Sequence, residues 1–270
     1  MKREILALGL ATLMALSVAI APATAQAAED PKQPSPENPH MHTWGTDDLS
    51  SCWTHFDGND SAGSAENGYG SQVFSTGSQV EVGFSCPMQE NLKQNLFLNP
   101  NGTIVVELGF RIFSDDCDPD QDPNCKELTL TLSKGNLAVA TEVFPAVNNN
   151  WEDDQVRWEL SVDSNTSRWN MSSEEPKLTI EFSKPGRAWS PECIILDCEG
   201  EFRMYYSNNG EGMDVETNFP VINQSLVPGF GGEGGPDSED DKGVPGFGLL
   251  TGLSALALAL ATGRFGTEEE

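Results

Sequence analysis

Apolar and polar side chains alternate along most of the middle of the chain. Ile104, Val106, Leu108, Phe110 and Ile112 fall on one side of an extended segment, with Glu107 and Arg111 on the other. Leu128, Leu130 and Leu132 repeat the pattern around Thr129 and Thr131, and Val156, Trp158, Leu160 and Val162 alternate with Arg157, Glu159 and Ser161. Val80, Val82 and Phe84 come before these. Leu137, Val139 and Val143 lie among them. Leu178, Ile180 and Phe182, then Phe202, Met204 and Tyr206, then Val215, Thr217 and Phe219 close the series. A period of two with one apolar face predicts half-buried antiparallel strands. About eight or nine such segments, separated by Asn-Gly, Lys-Gly and Pro-Gly turns, predict an all-β fold, an antiparallel sandwich in which each sheet covers the other's apolar face. Only 87–97 departs from the period, with Met88, Leu92 and Leu96 at helical spacing. A short helix or a looped crossover is expected there.

The two ends have a different composition. Lys2 and Arg3 precede an apolar run from Ile5 to Ile20, followed by Ala23-Thr24-Ala25 or Ala25-Gln26-Ala27. Charge, apolar stretch and small residues in that order predict a signal peptide over 1–27. Residues 28–43 are polar and proline-rich, and are expected to form a disordered leader. The sandwich is expected over 44–227, and 228–243 combines glycine with acid as a flexible stalk. At the far end, Pro245-Gly246-Phe247 runs straight into a small apolar segment, LLTGLSALALALATGRFG. That tripeptide with a terminal apolar helix over 244–270 resembles the archaeal PGF-CTERM sorting signal. The resemblance implies recognition by an archaeosortase, removal of the tail and a lipid anchor at the cell surface. The plain alternative is a retained transmembrane helix. An earlier Pro228-Gly229-Phe230 is followed by acidic, glycine-rich sequence and lacks the helix.

Nearly all of the net charge of -27 lies between these ends. A body so acidic has no basic footprint, which argues against nucleic acid as a partner. Six cysteines, Cys52, Cys86, Cys117, Cys125, Cys193 and Cys198, form an even set in an exported chain. Three disulfides are expected. Fifteen pairings are open; spacing favours Cys117–Cys125 and Cys193–Cys198, which leaves Cys52 for Cys86.

Candidate chemistry is sparse. Asp118, Asp120, Asp122 and Asn124 stand two apart between Cys117 and Cys125, as in the calcium loops of EF-hands and thrombospondin type 3 repeats, which the run resembles. Calcium is therefore the one candidate cofactor, although Pro123 and Thr129 occupy the positions where an EF-hand has its glycine and its bidentate glutamate. His40, His42, Cys52 and His55 form the one borderline-soft ligand cluster. There is no G-x-S-x-G, H-E-x-x-H or P-loop, and all three histidines precede position 56, so no enzymatic role is expected. Trp53, Trp151, Trp169, Trp189, Tyr205 and Tyr206 depart from the strict alternation. Burial at the ends of the sandwich accounts for them, and a sugar-stacking face is the rival reading. Five N-x-[ST] sequons, at Asn59, Asn101, Asn165, Asn170 and Asn223, fall at turns or strand ends. Together these features predict an anchored envelope protein with a structural or adhesive role, meeting the membrane and an envelope polysaccharide or S-layer. A surface carbohydrate-binding module and an exported hydrolase are the alternatives.

Overall fold

A computed structural model describes residues 30–57, 65–171, 173–194 and 198–224. The chain divides into two compact units, Met1–Asn223 and Gln224–Glu270, and the fold below belongs to the first. Thirteen strands occur among the described residues: β1 (His40–Gly45), β2 (Cys52–His55), β3 (Tyr69–Phe74), β4 (Gln79–Pro87), β5 (Leu96–Phe97), β6 (Thr103–Phe113), β7 (Lys126–Lys134), β8 (Leu137–Phe144), β9 (Asn150–Ser161), β10 (Arg168–Trp169), β11 (Pro176–Pro185), β12 (Gly200–Tyr205) and β13 (Glu216–Asn218). The fold is the expected all-β sandwich.

The larger sheet is built around β6. One edge of β6 pairs with β9 along most of its length, from Thr103↔Ser161 to Phe113↔Asn150. The other edge is shared. Its first half takes β13, which continues to β1 and β2, while its last residues take β12, which continues to β3. The smaller sheet runs β4-β11-β7-β8. Every strand pair within these two sheets is antiparallel, although only β1–β2 and β7–β8 are joined directly by hairpins.

The alternating segments supply the core. Ile104, Val106, Leu108, Phe110 and Ile112 are fully buried, and face Leu128, Leu130, Leu132, Leu178 and Ile180 of the other sheet, also fully buried. Phe202 joins the layers, its ring 5.8 Å from Phe110, 5.7 Å from Phe182 and 6.4 Å from Phe84. Tyr206 fixes β1 against β3. Its hydroxyl donates to the Thr46 carbonyl at 2.9 Å, and a Cβ at either Gly45 or Gly70 would collide with that hydroxyl, so both strands need glycine where the ring crosses them.

Three findings differ from the sequence reading. Residues 30–43 belong to the folded body. Gln33 is buried, its amide donates to the Asn91 carbonyl and accepts from the Lys93 backbone N–H, and β1 begins at His40. The 87–97 stretch contains no helix; a looped crossover leads from the end of β4 at Pro87 to β5 at Leu96. Met88, Leu92 and Leu96 are nonetheless all buried, because the loop lies on the core. The strand count exceeds eight or nine through β1, β2, β3 and the two-residue β5 and β10, none of which shows a clean alternation.

Strand β8 forms one border of the smaller sheet. A register shift interrupts its pairing with β7 between Leu132 and Ser133. Glu142 sits opposite Leu130, so it lies on the core-facing side of the sheet while remaining exposed.

Candidate functional site

The six cysteines form three disulfides, Cys52–Cys86, Cys117–Cys125 and Cys193–Cys198, and none is free. The first joins β2 of the larger sheet to β4 of the smaller one. The second closes the acidic loop at the end of β6. Within that loop the carboxylates are engaged locally. Asp118 accepts the Asp120 backbone N–H at 2.9 Å and the Gln121 side-chain amide, and Asp122 accepts the Asn124 backbone N–H at 2.9 Å. These are turn-forming contacts of the kind aspartate makes with its own backbone. Among the described residues, no three histidine, cysteine or acidic groups are gathered to hold a metal. Calcium and magnesium at equal millimolar concentration are accordingly expected to raise the melting temperature by the same amount, through general screening, with Asp120→Asn leaving the shift unchanged. A calcium-specific shift, lost in Asp120→Asn, would place a calcium site in this loop.

The histidines follow separate paths. His40 Nδ1 lies 3.0 Å from Glu216 Oε1, at a half-exposed position. His55 stacks on Trp44 at 5.4 Å and lies 5.9 Å from the His42 ring. Burial holds the His42 imidazole below its usual pKa, and Cys52 is committed to its disulfide.

The aromatic groups outside the alternation divide in two. Trp169, Tyr205 and Tyr206 are buried, and the Trp169 indole N–H donates to the Thr166 carbonyl at 2.7 Å. Trp158 is core, as its phase requires. Trp53 and Trp151 are half-buried, and Trp189 is 66% exposed. The sorting motif Pro245, Gly246 and Phe247 and the sequon at Asn59 lie outside the described residues.

One assembly was not foreseen. On the outer face of the larger sheet, where β6 ends, four side chains from three segments stack. The Arg111 guanidinium lies 4.9 Å from the Trp151 ring, Trp151 lies 4.5 Å from Phe113, and the Arg187 guanidinium lies 4.5 Å from Phe113 on its own account. Trp151 has a φ of 73°, in the left-handed region that costs a bulky residue strain. It sits beside the register shift between Arg111 and Phe113, and such bulges re-aim side chains. The neighbouring strands extend the set. Arg203 lies 3.9 Å from the Tyr69 ring and donates to Glu201 at 2.8 Å, while the Tyr205 hydroxyl donates to Asp153 at 2.5 Å. Burial, then the Asp153 hydrogen bond, pushes the Tyr205 hydroxyl up to about 12.

In a chain with 15 basic residues against 42 acidic ones, three arginines are held on aromatic rings at this end, Arg187 also 3.6 Å from Asp115 and Arg203 paired with Glu201. Fixed cations on π faces suit recognition and rigidity. A phenol titrating near 12 is poorly matched to proton transfer at neutral pH. The Arg111 Nε is buried without a hydrogen-bond partner among the described residues. Sequence reasoning missed this assembly because it depends on the β6–β9 register and its bulge. The scarcity of arginine, together with Phe113 and Trp151 at the ends of their strands, was the available signal.

No protein-family model matches the chain, and no curated protein matches it. Among solved structures it is similar to that of infectious bursal disease virus Gx strain, at 14% identity over 57% of this chain and 37% of that one, with a TM-score of 0.22. It is likewise similar to the Gt strain, at 15% identity over 59% of this chain and 35% of that one, with a TM-score of 0.21. The chain thus spans little more than a third of those chains, and a likeness of this size carries no conclusion about function.

Proposed function

We propose that this is an exported protein, anchored at the cell surface through its C-terminus, whose sandwich body serves a structural or adhesive role in the envelope and catalyses no reaction. The observation that supports it most is the pairing of all six cysteines in a body of this size. Structural disulfides belong to oxidising compartments and are rare in reducing ones. The signal-peptide pattern at 1–27 and the PGF-CTERM resemblance at 244–270 supply the same address from both ends. The membrane and an archaeosortase are the partners this implies, and the arginine–aromatic surface is the face offered to an envelope polysaccharide or S-layer. Trp169, Tyr205 and Tyr206 are buried, which takes three of the six aromatic groups away from a sugar-stacking row.

Intact mass of the protein recovered from membranes tests this reading. The mature form is expected to lack both terminal segments, and alanines at Pro245-Gly246-Phe247 are expected to block removal of the tail. Alanines at Pro228-Gly229-Phe230 are expected to leave it unaffected. Peptides covering Leu250 to Arg264 in the mature protein would replace the processed anchor by a retained helix, and a soluble intracellular protein would overturn the proposal.

A further inference from the structure

Four sequon asparagines, Asn101, Asn165, Asn170 and Asn223, are among the described residues and gather at one end of the sandwich. Strand β6 starts there, and Thr103 pairs with Ser161 at the end of β9. The turn holding Asn101 touches that end directly, since the Val162 backbone N–H donates to the Gly102 carbonyl at 3.0 Å. Asn165 lies in the next turn, and its carbonyl accepts from Lys134, where β7 ends. Asn223 follows Ile222, whose backbone N–H donates to the Phe97 carbonyl at 2.9 Å. Asn170 adjoins Trp169, which pairs with Leu96. The opposite end, with the Cys117–Cys125 loop and the Arg111–Trp151 stack, carries no sequon among the described residues.

The acceptor nitrogens are not equivalent. Asn101 is exposed at the tip of its turn, and its side-chain amide has no hydrogen-bond partner among the described residues; Thr103, two residues on, is also exposed. Asn165 is exposed, with one long contact of 3.4 Å from its amide to Asp163. Asn170 is half-buried. Its amide donates to Glu174 Oε2 at 2.8 Å, and its backbone N–H donates to the same oxygen at 2.7 Å. Lys134, 3.4 Å away, holds that carboxylate in place.

We propose that Asn101 and Asn165 carry N-linked oligosaccharides and Asn170 does not, which places sugar on the end where β6 starts. The proposal rests on the export of the chain. The donor is an oligosaccharide linked through C1 to a polyprenyl phosphate or diphosphate. The asparagine Nδ2–C1 bond forms, the C1–O bond to phosphate breaks, the lipid phosphate leaves, and Nδ2 gives up one proton. A transferase acting on the exported, folded chain must reach Nδ2 and the hydroxyl two residues on. Asn101 leaves both groups open. Asn165 leaves its nitrogen exposed with only long 3.4 Å contacts, from Nδ2 to Asp163 and from the half-buried Ser167 hydroxyl to the Ser164 carbonyl. At Asn170, by contrast, the nitrogen is already bound at 2.8 Å by a carboxylate fixed by a lysine. Hydrated sugar at this end hinders other macromolecules there and leaves the arginine–aromatic end for contact.

The test uses full-length protein captured from intact cells after labelling with a membrane-impermeant amine-reactive biotin. Glycopeptide mass spectrometry is expected to show added sugar at Asn101 and Asn165 in most molecules, and an unmodified Asn170 peptide. Thr103→Ala and Asn165→Gln should each remove one glycan mass, and Asn170→Gln none. Captured protein unmodified at either Asn101 or Asn165, or modified at Asn170 to the same extent, overturns this proposal while leaving export intact. Failure to capture the protein at the surface, with the protein present inside, overturns both.

Discussion

Replacing Phe202 with alanine is expected to cost about 4 kcal/mol, within the range found for large aromatic truncations in cores. The ring is fully buried on β12 and meets Phe110 from its own sheet and Phe84 and Phe182 from the other. Its removal leaves a void between two rigid layers, which strands held by neighbours on both sides cannot close. For a body of this length the melting temperature should fall by roughly 8–16 °C. Val73→Ala is the control. Val73 lies on the neighbouring strand β3 but is 62% exposed, so its loss should stay within about 0.5 kcal/mol. Urea denaturation of the two variants decides the matter, and equal losses would mean that Phe202 does not seal the core.

Loss of the Cys52–Cys86 bridge is expected to be of similar size. It closes a loop of 34 residues, for which the chain-entropy relation gives about 4 kcal/mol, against about 2 kcal/mol for the five-residue separation of Cys193–Cys198. Position adds to length. Both sulfur-bearing residues are buried, and the bridge continues a seam in which the Gln89 backbone N–H donates to the Thr54 carbonyl at 2.7 Å. Paired Cys→Ala variants at each bridge, compared by urea midpoint at equal slope, should show the long loop losing about twice as much. Equal losses would show that the inter-sheet position and the loop length are immaterial.

The strands easiest to read were those with one wet face. β9 exposes one side and buries the other, and β6, β7 and β11 carry mostly polar, half-covered groups opposite a fully buried apolar face, so their period survives in the sequence. β1 escapes this logic. HMHTWG has no apolar repeat, yet Met41, Thr43, Trp44 and Gly45 are all buried, because β13 and β2 flank the strand and Tyr206 lies across it. Tyr205 and Tyr206 show the same gap. Neighbouring residues on a strand face opposite ways, so burial of both requires cover on the outer face. Met213 contributes it, lying beside Gly109 close to the Tyr205 ring. No local pattern announces that a loop will return over a sheet. Met88, Leu92 and Leu96 make the converse case, with helical spacing in a crossover that ends in β5 and whose apolar groups are buried by the sandwich itself. The disulfides were the most legible feature of chemistry, since close spacing in sequence limits where the bridges can form. The arginine–aromatic stack was the least, since it is assembled by a bulge and a strained Trp151.

Strand β8 bears on how copies of the chain behave when crowded. A flat border strand invites a neighbour's strand to add to the sheet, and an eight-residue stretch with one charge would be such an invitation. The register shift kinks this border. A strand laid along it would also have to accommodate Glu142, whose carboxylate is turned to the side where a growing stack would be dry. A second copy laid along this border is therefore hindered from extending the smaller sheet through β8.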